Sequence, residues 1–192
     1  MKDIIDYEVF KESLVLHYTS VIEQITSSED CIDIYVLVLC TDVTNTSVEL
    51  TWNTIGGLDK SYEEQIEIYG DDKYSIQEIK YEIAYFEYGE MYDWPEGLLV
   101  FTRTLDQYFS SLPSDTDEEC DFYNEAYDHY CSRFIECMIE VLKQLQPAIS
   151  KLNKTPDFIS YVSDHDDVEA FQYAKETVPE ELYNLVCAPY KN

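Results

Sequence analysis

The densest group of reactive side chains is Asp164-His165-Asp166-Asp167-Val168-Glu169, four acids and a histidine in six residues. Carboxylates this close are suited to a hard cation, to acid–base work, or to a basic partner. The register of a helix–loop–helix calcium site fails, because Val168 stands at position 5, Glu169 at the glycine position and Lys175 at position 12. A looser magnesium site on Asp164, Asp166 and Asp167 remains as a reading, and would make the chain a metal-dependent hydrolase using the 164–169 acids. The simpler reading is helix capping and solvated surface. Asp121, Glu125 and His129 form a second group, four residues apart on one helix face, but Arg133 continues the series. A charge ladder explains it better than a metal stripe.

Other catalytic patterns are missing from the sequence. There is no Gly-x-Ser-x-Gly elbow, no phosphate-binding glycine loop and no His-Glu-x-x-His. His17 falls on the apolar face of the first helical segment and is expected in the core. Pairs of acids carry little weight where acids are everywhere. The sequence therefore points away from an enzyme, with no cofactor and no metal expected.

Charge dominates the composition. Forty Asp and Glu stand against 12 Lys and Arg, a formal net of −28 over 192 residues. A small domain tuned for solubility carries roughly 2–8, and an excess of this size costs stability through self-repulsion. Nucleic acid and anionic membrane are repelled, so no direct nucleic-acid and no membrane partner is expected. A basic protein is attracted, and its capture accelerated.

These groups must be positioned by the elements around them. The length suits a single compact domain, 1–192. Residues 3–26 repeat Ile4, Tyr7, Phe10, Leu14, His17, Val21 and Ile25 at helical spacing, and Cys31 to Thr41 reads as a central strand. Ser47 to Thr54 alternates Val48, Leu50 and Trp52 as the second strand of a hairpin, with Gly56-Gly57 breaking the pattern before a helix. Ser75-x-x-Glu78 is a capping box that opens a helix through Ile76, Ile79, Ile83 and Phe86. Further helices follow over 98–109, from about 119 to 145 with its end before Pro147, and over 178–186, with a short strand at 158–162. The expected fold is α+β, a small antiparallel sheet packed with several helices. The six cysteines form no CxxC pair, and the N-terminus lacks a signal-peptide pattern, so a cytoplasmic protein with reduced, mostly buried thiols is expected.

The stretch 69–97 mixes rings and acids most heavily. Eighteen tyrosines exceed what a core of this size hides with every hydroxyl satisfied. Rings beside carboxylates can hold Lys and Arg by cation–π contact and charge together. Tyr81, Tyr85, Tyr88, Asp93 and Trp94, then Asp164, Asp166 and Asp167, are the expected partner contacts.

The order of segments resembles the bacterial domain-of-unknown-function 4303 family over most of the chain. "IYVLVLCTD" followed by "VELTWNT" is similar to that family's first hairpin and its Asn-Thr turn, here Asn53-Thr54. "KYSIQEIKYE" resembles its Trp-Ser-Pro-x-x-Trp-x-x-Glu stretch, with Tyr74, Ile76 and Ile79 in place of its Trp, Pro and Trp. "DFISYVSDHDD" resembles its late strand. The resemblance implies no catalytic residue. It implies a small cytosolic protein, with some members encoded among bacterial toxin–immunity loci. Together these readings give an immunity protein that neutralises a basic toxin domain, a nuclease being the expected case, by occlusion. The alternative is a mimic of nucleic-acid charge that inhibits a DNA-binding protein. For that mimic, carboxylates should be regularly spaced along one face; a mixed aromatic and acidic patch would favour the toxin.

Overall fold

The computed structural model describes residues 2–70, 73–90, 94–113, 116–164 and 172–187. In chain order the elements are α1 (Tyr7–Ser27), β1 (Ile34–Asp42), β2 (Ser47–Thr54), α2 (Ile55–Tyr69), α3 (Ile76–Ile79), β3 (Tyr88–Glu90), α4 (Glu96–Ser111), α5 (Asp117–Ile149), β4 (Lys154–Asp164) and α6 (Glu180–Cys187). The four strands form one sheet in the order β3-β2-β1-β4. This is the expected α+β fold.

β1 and β2 pair antiparallel, Leu37 opposite Trp52 and Leu39 opposite Leu50, and β3 adds antiparallel to β2. The antiparallel expectation stops at β4, which runs parallel to β1 with Val38 opposite Tyr161. A parallel neighbour needs a long return connection, and the chain from α2 through α5 supplies it. The sheet is therefore mixed.

Alternation along the strands sends side chains to two cores. Leu37, Leu39, Leu50, Trp52 and Val162 meet α1, α4 and α5 on one face. Val36, Val38, Ile159 and Tyr161 meet Leu58 of α2, Ile79 of α3 and the segment before α6 on the other. Fully burying a side chain such as Phe10, Leu14 or Phe134 contributes about 1.5–3 kcal/mol, and all three are wholly enclosed.

Three local features differ from the sequence reading. α2 begins at Ile55, so Gly56-Gly57 lies inside its first turn, capped by Thr54, whose hydroxyl accepts from Gly57 N. Glycine is required at 57 because a Cβ there would stand 2.2 Å from Asn53 Oδ1. The helix expected from Ser75 to Phe86 is broken: its capping box forms, but α3 is a single turn, followed by a 3₁₀ turn at Ile83–Tyr85 and then β3. α5 runs past Pro147 to Ile149, since a proline in the last turn loses only one hydrogen bond there.

Candidate interaction surface

The expected contact residues that the structure describes do not share a face. Tyr81 is only 7% exposed, its ring 5.8 Å from that of Tyr35 and its carbonyl accepting from the Tyr161 hydroxyl at 3.3 Å. It is a core residue, which corrects its assignment as a contact. Tyr85 packs on the same side of the sheet, half-buried, with its carbonyl accepting from Ser61 Oγ at 2.8 Å. Tyr88 and Trp94 lie on the opposite side. Tyr88 stacks on Trp52 with centroids 5.8 Å apart, and Trp94 leans on Phe10 and donates its indole N–H to Tyr18 Oη at 3.3 Å. The described rings between Tyr74 and Trp94 thus divide between the two cores. Asp93, Asp166 and Asp167 lie outside the described residues.

Asp164 is engaged within the fold. Its Oδ1 accepts from Thr41 Oγ1 at 3.2 Å and from Val43 N at 3.3 Å, which ties the end of β4 to the β1–β2 turn. Burial, with Glu49, Asp164 and Asp42 nearby, pushes the neighbouring Cys40 thiol up to about 11. No group of three metal-ligating side chains converges among the described residues.

Two histidine readings change as well. His17 is half-buried, and the core position belongs to Tyr18, whose hydroxyl donates to Val48 O at 2.8 Å. His129 and Arg133 meet Asp3 of the N-terminal segment at 3.2 and 3.4 Å, so the ladder is completed from outside the helix. Among the described cysteines, Cys31 and Cys137 are buried, Cys40 and Cys131 half-buried, and Cys120 exposed.

The protein's own fold uses most of its cations. Lys11, Lys60, Lys80, Arg103, Arg133 and Lys151 each pair with a carboxylate. Lys73, Lys154 and Lys175 each sit over a ring. Lys80 does both, 2.7 Å from Asp157 and 5.2 Å from the Tyr81 ring centroid. Burial is the largest single influence on Asp157 and opposes its charge, yet the bonds and charge that favour it, that from Lys80 foremost, together outweigh burial and hold the carboxyl below its ordinary range. The pairing of cation and ring expected from a partner is thus largely internal: Lys73 already lies over Tyr69 and Tyr74.

What remains outside is acid, and α5 orders it. Glu118, Asp121, Glu125, Asp128, Glu136 and Glu140 are all exposed. Their spacing of three, four or eight residues places them in an arc of about 120° along α5. The opposite face carries Ala126, Tyr130, Phe134, Met138, Val141 and Leu145 into the core. The Thr116–Glu119 capping box fixes where the helix starts, with Thr116 Oγ1 accepting from Glu119 N at 3.2 Å and Glu119 returning the bond. The series Asp121, Glu125, His129 and Arg133 contains only two of these acids, so a stripe of this length is not evident from it. The signal was present as acids at helical spacing, complementary to the apolar ones.

A half-open cleft of about 720 Å³ runs beside the stripe, between the start of α1 and the middle of α5. Tyr7, Val43, Ile135, Ile139 and Tyr173 supply its apolar lining, and Glu136 and Glu140 belong to both cleft and stripe. Comparison of the chain with protein-family models, with curated proteins and with solved structures finds no match.

Proposed function

We propose that the chain is a non-enzymatic, cytoplasmic binding protein of the immunity type, which neutralises a basic toxin domain by covering its nucleic-acid-binding surface. The resemblance to the domain-of-unknown-function 4303 family agrees with this reading, and a nuclease is the simplest such toxin. The observation that carries it is the ordered stripe of exposed carboxylates on α5, of which Glu136 alone pairs with a cation among the described residues, while most other cations are held elsewhere in the fold. A surface of one sign speeds encounter with an oppositely charged partner and suppresses wrong ones.

Regular spacing along one face also favours a second reading, a mimic of nucleic-acid charge. Magnitude argues against close mimicry. Six carboxylates over about 33 Å of helix give one charge per about 5.5 Å, against one per about 3.4 Å on each DNA strand. The stripe is too sparse to replace a duplex alone, and selective occlusion fits better.

The test is retention of host proteins on the immobilised chain at low and then raised salt, with identification of what is held and assay of its activity. A single basic nuclease, inhibited in proportion to added chain and released by salt, is the expected result. A DNA-binding protein without toxic activity would select the second reading. Retention of no basic protein would reject both.

A further inference from the structure

The cleft beside the stripe has a composition that charge steering does not require. Its apolar lining comes from four places: Tyr7 on α1, Ile135 and Ile139 on α5, Val43 in the β1–β2 turn and Tyr173 in a 3₁₀ helix at Gln172–Glu176. Ile139 and Tyr173 are half-buried, so part of this apolar surface faces solvent in the free protein. Its volume lies in the range of about 300–1,000 Å³ typical of ligand pockets.

The charges around it are unequal. Glu8, Glu136, Glu140, Asp164 and Glu176 line it against Lys11, Arg133 and Lys143. Two of those cations turn back onto the protein and take up Glu8 and Glu136, and Asp164 is held by Thr41 and Val43, which leaves Glu140 and Glu176 as the acids open to a partner. Lys11 reaches Glu8 at 2.7 Å with its side chain 13% exposed, and Arg133 lies over the Tyr7 ring while pairing with Asp3 and Glu136. Only Lys143 faces the cleft without such a tie, and beyond Glu136 and Glu140 the stripe continues to Glu118. A second copy at net −28 is repelled. A segment that is apolar on one side and basic on the other suits both features.

Resting on the function proposed above, we infer that this cleft receives an amphipathic basic helix of the partner. The helix sets its apolar edge against Ile139 and Tyr173, over the floor made by Tyr7 and Ile135, and its lysines or arginines against Glu140 and Glu176. The stripe then governs the rate of encounter, and the cleft supplies affinity and selectivity.

The probe is a pair of synthetic peptides of about 18 residues, about five turns of helix, with identical leucine and lysine content. One is arranged at helical period; the other is permuted so that no helical face is apolar. Binding to the full chain is followed by fluorescence anisotropy at low salt. The helical-period peptide should bind at least about tenfold tighter. Ser132→Trp, which fills the cleft from an exposed position whose hydroxyl bonds only Asp128 O, should abolish that preference, whereas Ser132→Ala should keep it. A readout without substitution is alkylation: bound peptide should protect Cys131, which lines the cleft, and leave the exposed Cys120 at its free rate. Equal binding of the two peptides, an unchanged preference in Ser132→Trp, or unprotected Cys131 would each overturn the cleft while leaving charge-driven binding intact. A dimer formed without peptide would also overturn it. Failure of both peptides to bind would instead reject the function on which it rests.

Discussion

Two regions of this protein look alike in sequence and end differently. Residues 69–97 and the first half of α5 both interleave tyrosines with acids. In the first, no single period runs through the segment, which breaks into a helical turn, a 3₁₀ turn and a three-residue strand. Tyr69 stays exposed, and the other described rings are drawn to whichever core lies nearest, Tyr81 to one face of the sheet and Trp94 to the other. In α5 one period persists for 33 residues, so the tyrosines and the stripe of acids separate onto different faces. Composition alone does not make an interface. Composition in phase with the element carrying it can.

The largest expected contrast is in stability. Tyr81→Ala should cost about 3 kcal/mol, as removal of a large buried ring does, with a lost partner for Lys80 included. Phe122→Ala on the outer part of α5, 46% exposed, should stay within about 0.5 kcal/mol. Urea unfolding of both variants measures this directly. Equal costs would show that the two regions are not partitioned as described.

Neutralising the stripe sharpens the contrast in the other direction. Replacing Glu118, Asp121, Glu125 and Asp128 by their amides should raise the melting temperature, because like charges three and four apart oppose the helix by about 0.2–0.5 kcal/mol per pair. The gain should shrink in high salt as the repulsion is screened. A lower melting temperature at both ionic strengths would mean these acids make stabilising contacts.

Smaller effects follow from the ionised pairs. Asp157, with its carboxyl held below the ordinary range, contributes stability above its unfolded pKa that is lost as pH falls through its folded value. Asp157→Asn should therefore cost up to about 1 kcal/mol at neutral pH, discounted for solvent because the side chain is 45% exposed. The cost should vanish in acid, as unfolding at two pH values would reveal. Glu49 behaves oppositely. Burial raises its carboxyl, so the charged form is disfavoured in the fold and stability rises as pH falls through the folded value. Glu49→Gln should stabilise by a few tenths of a kcal/mol at neutral pH after screening, and should have no effect below the pKa of the unfolded chain.

Much of the fold could be read directly. β2 begins and ends where the alternation of Val48, Leu50 and Trp52 predicts, because period two and the Asp42–Thr46 turn residues agree. α1, α4 and α5 follow from their apolar faces. The parallel placement of β4 depends on how the chain returns, which no local pattern encodes. The Gly56-Gly57 start of α2 depends on a close approach to the Asn53 side chain, visible only once β2 and the helix meet. The site was less legible for a related reason. Tyr81 and Tyr88 are spaced like neighbours, but the intervening breaks send them to opposite sides of the sheet. The α5 stripe is legible in the helical spacing of its acids, but the run at 164–169 is denser in sequence and masks it.

The most direct test of the central claim is side-by-side retention of host proteins on the native chain and on the stripe-neutralised variant at one low ionic strength. The account predicts that one basic, nucleic-acid-binding protein is held by the native chain and largely lost by the variant, although the variant is folded and at least as stable. The same protein held equally by both would contradict it, and would remove α5 from the interface.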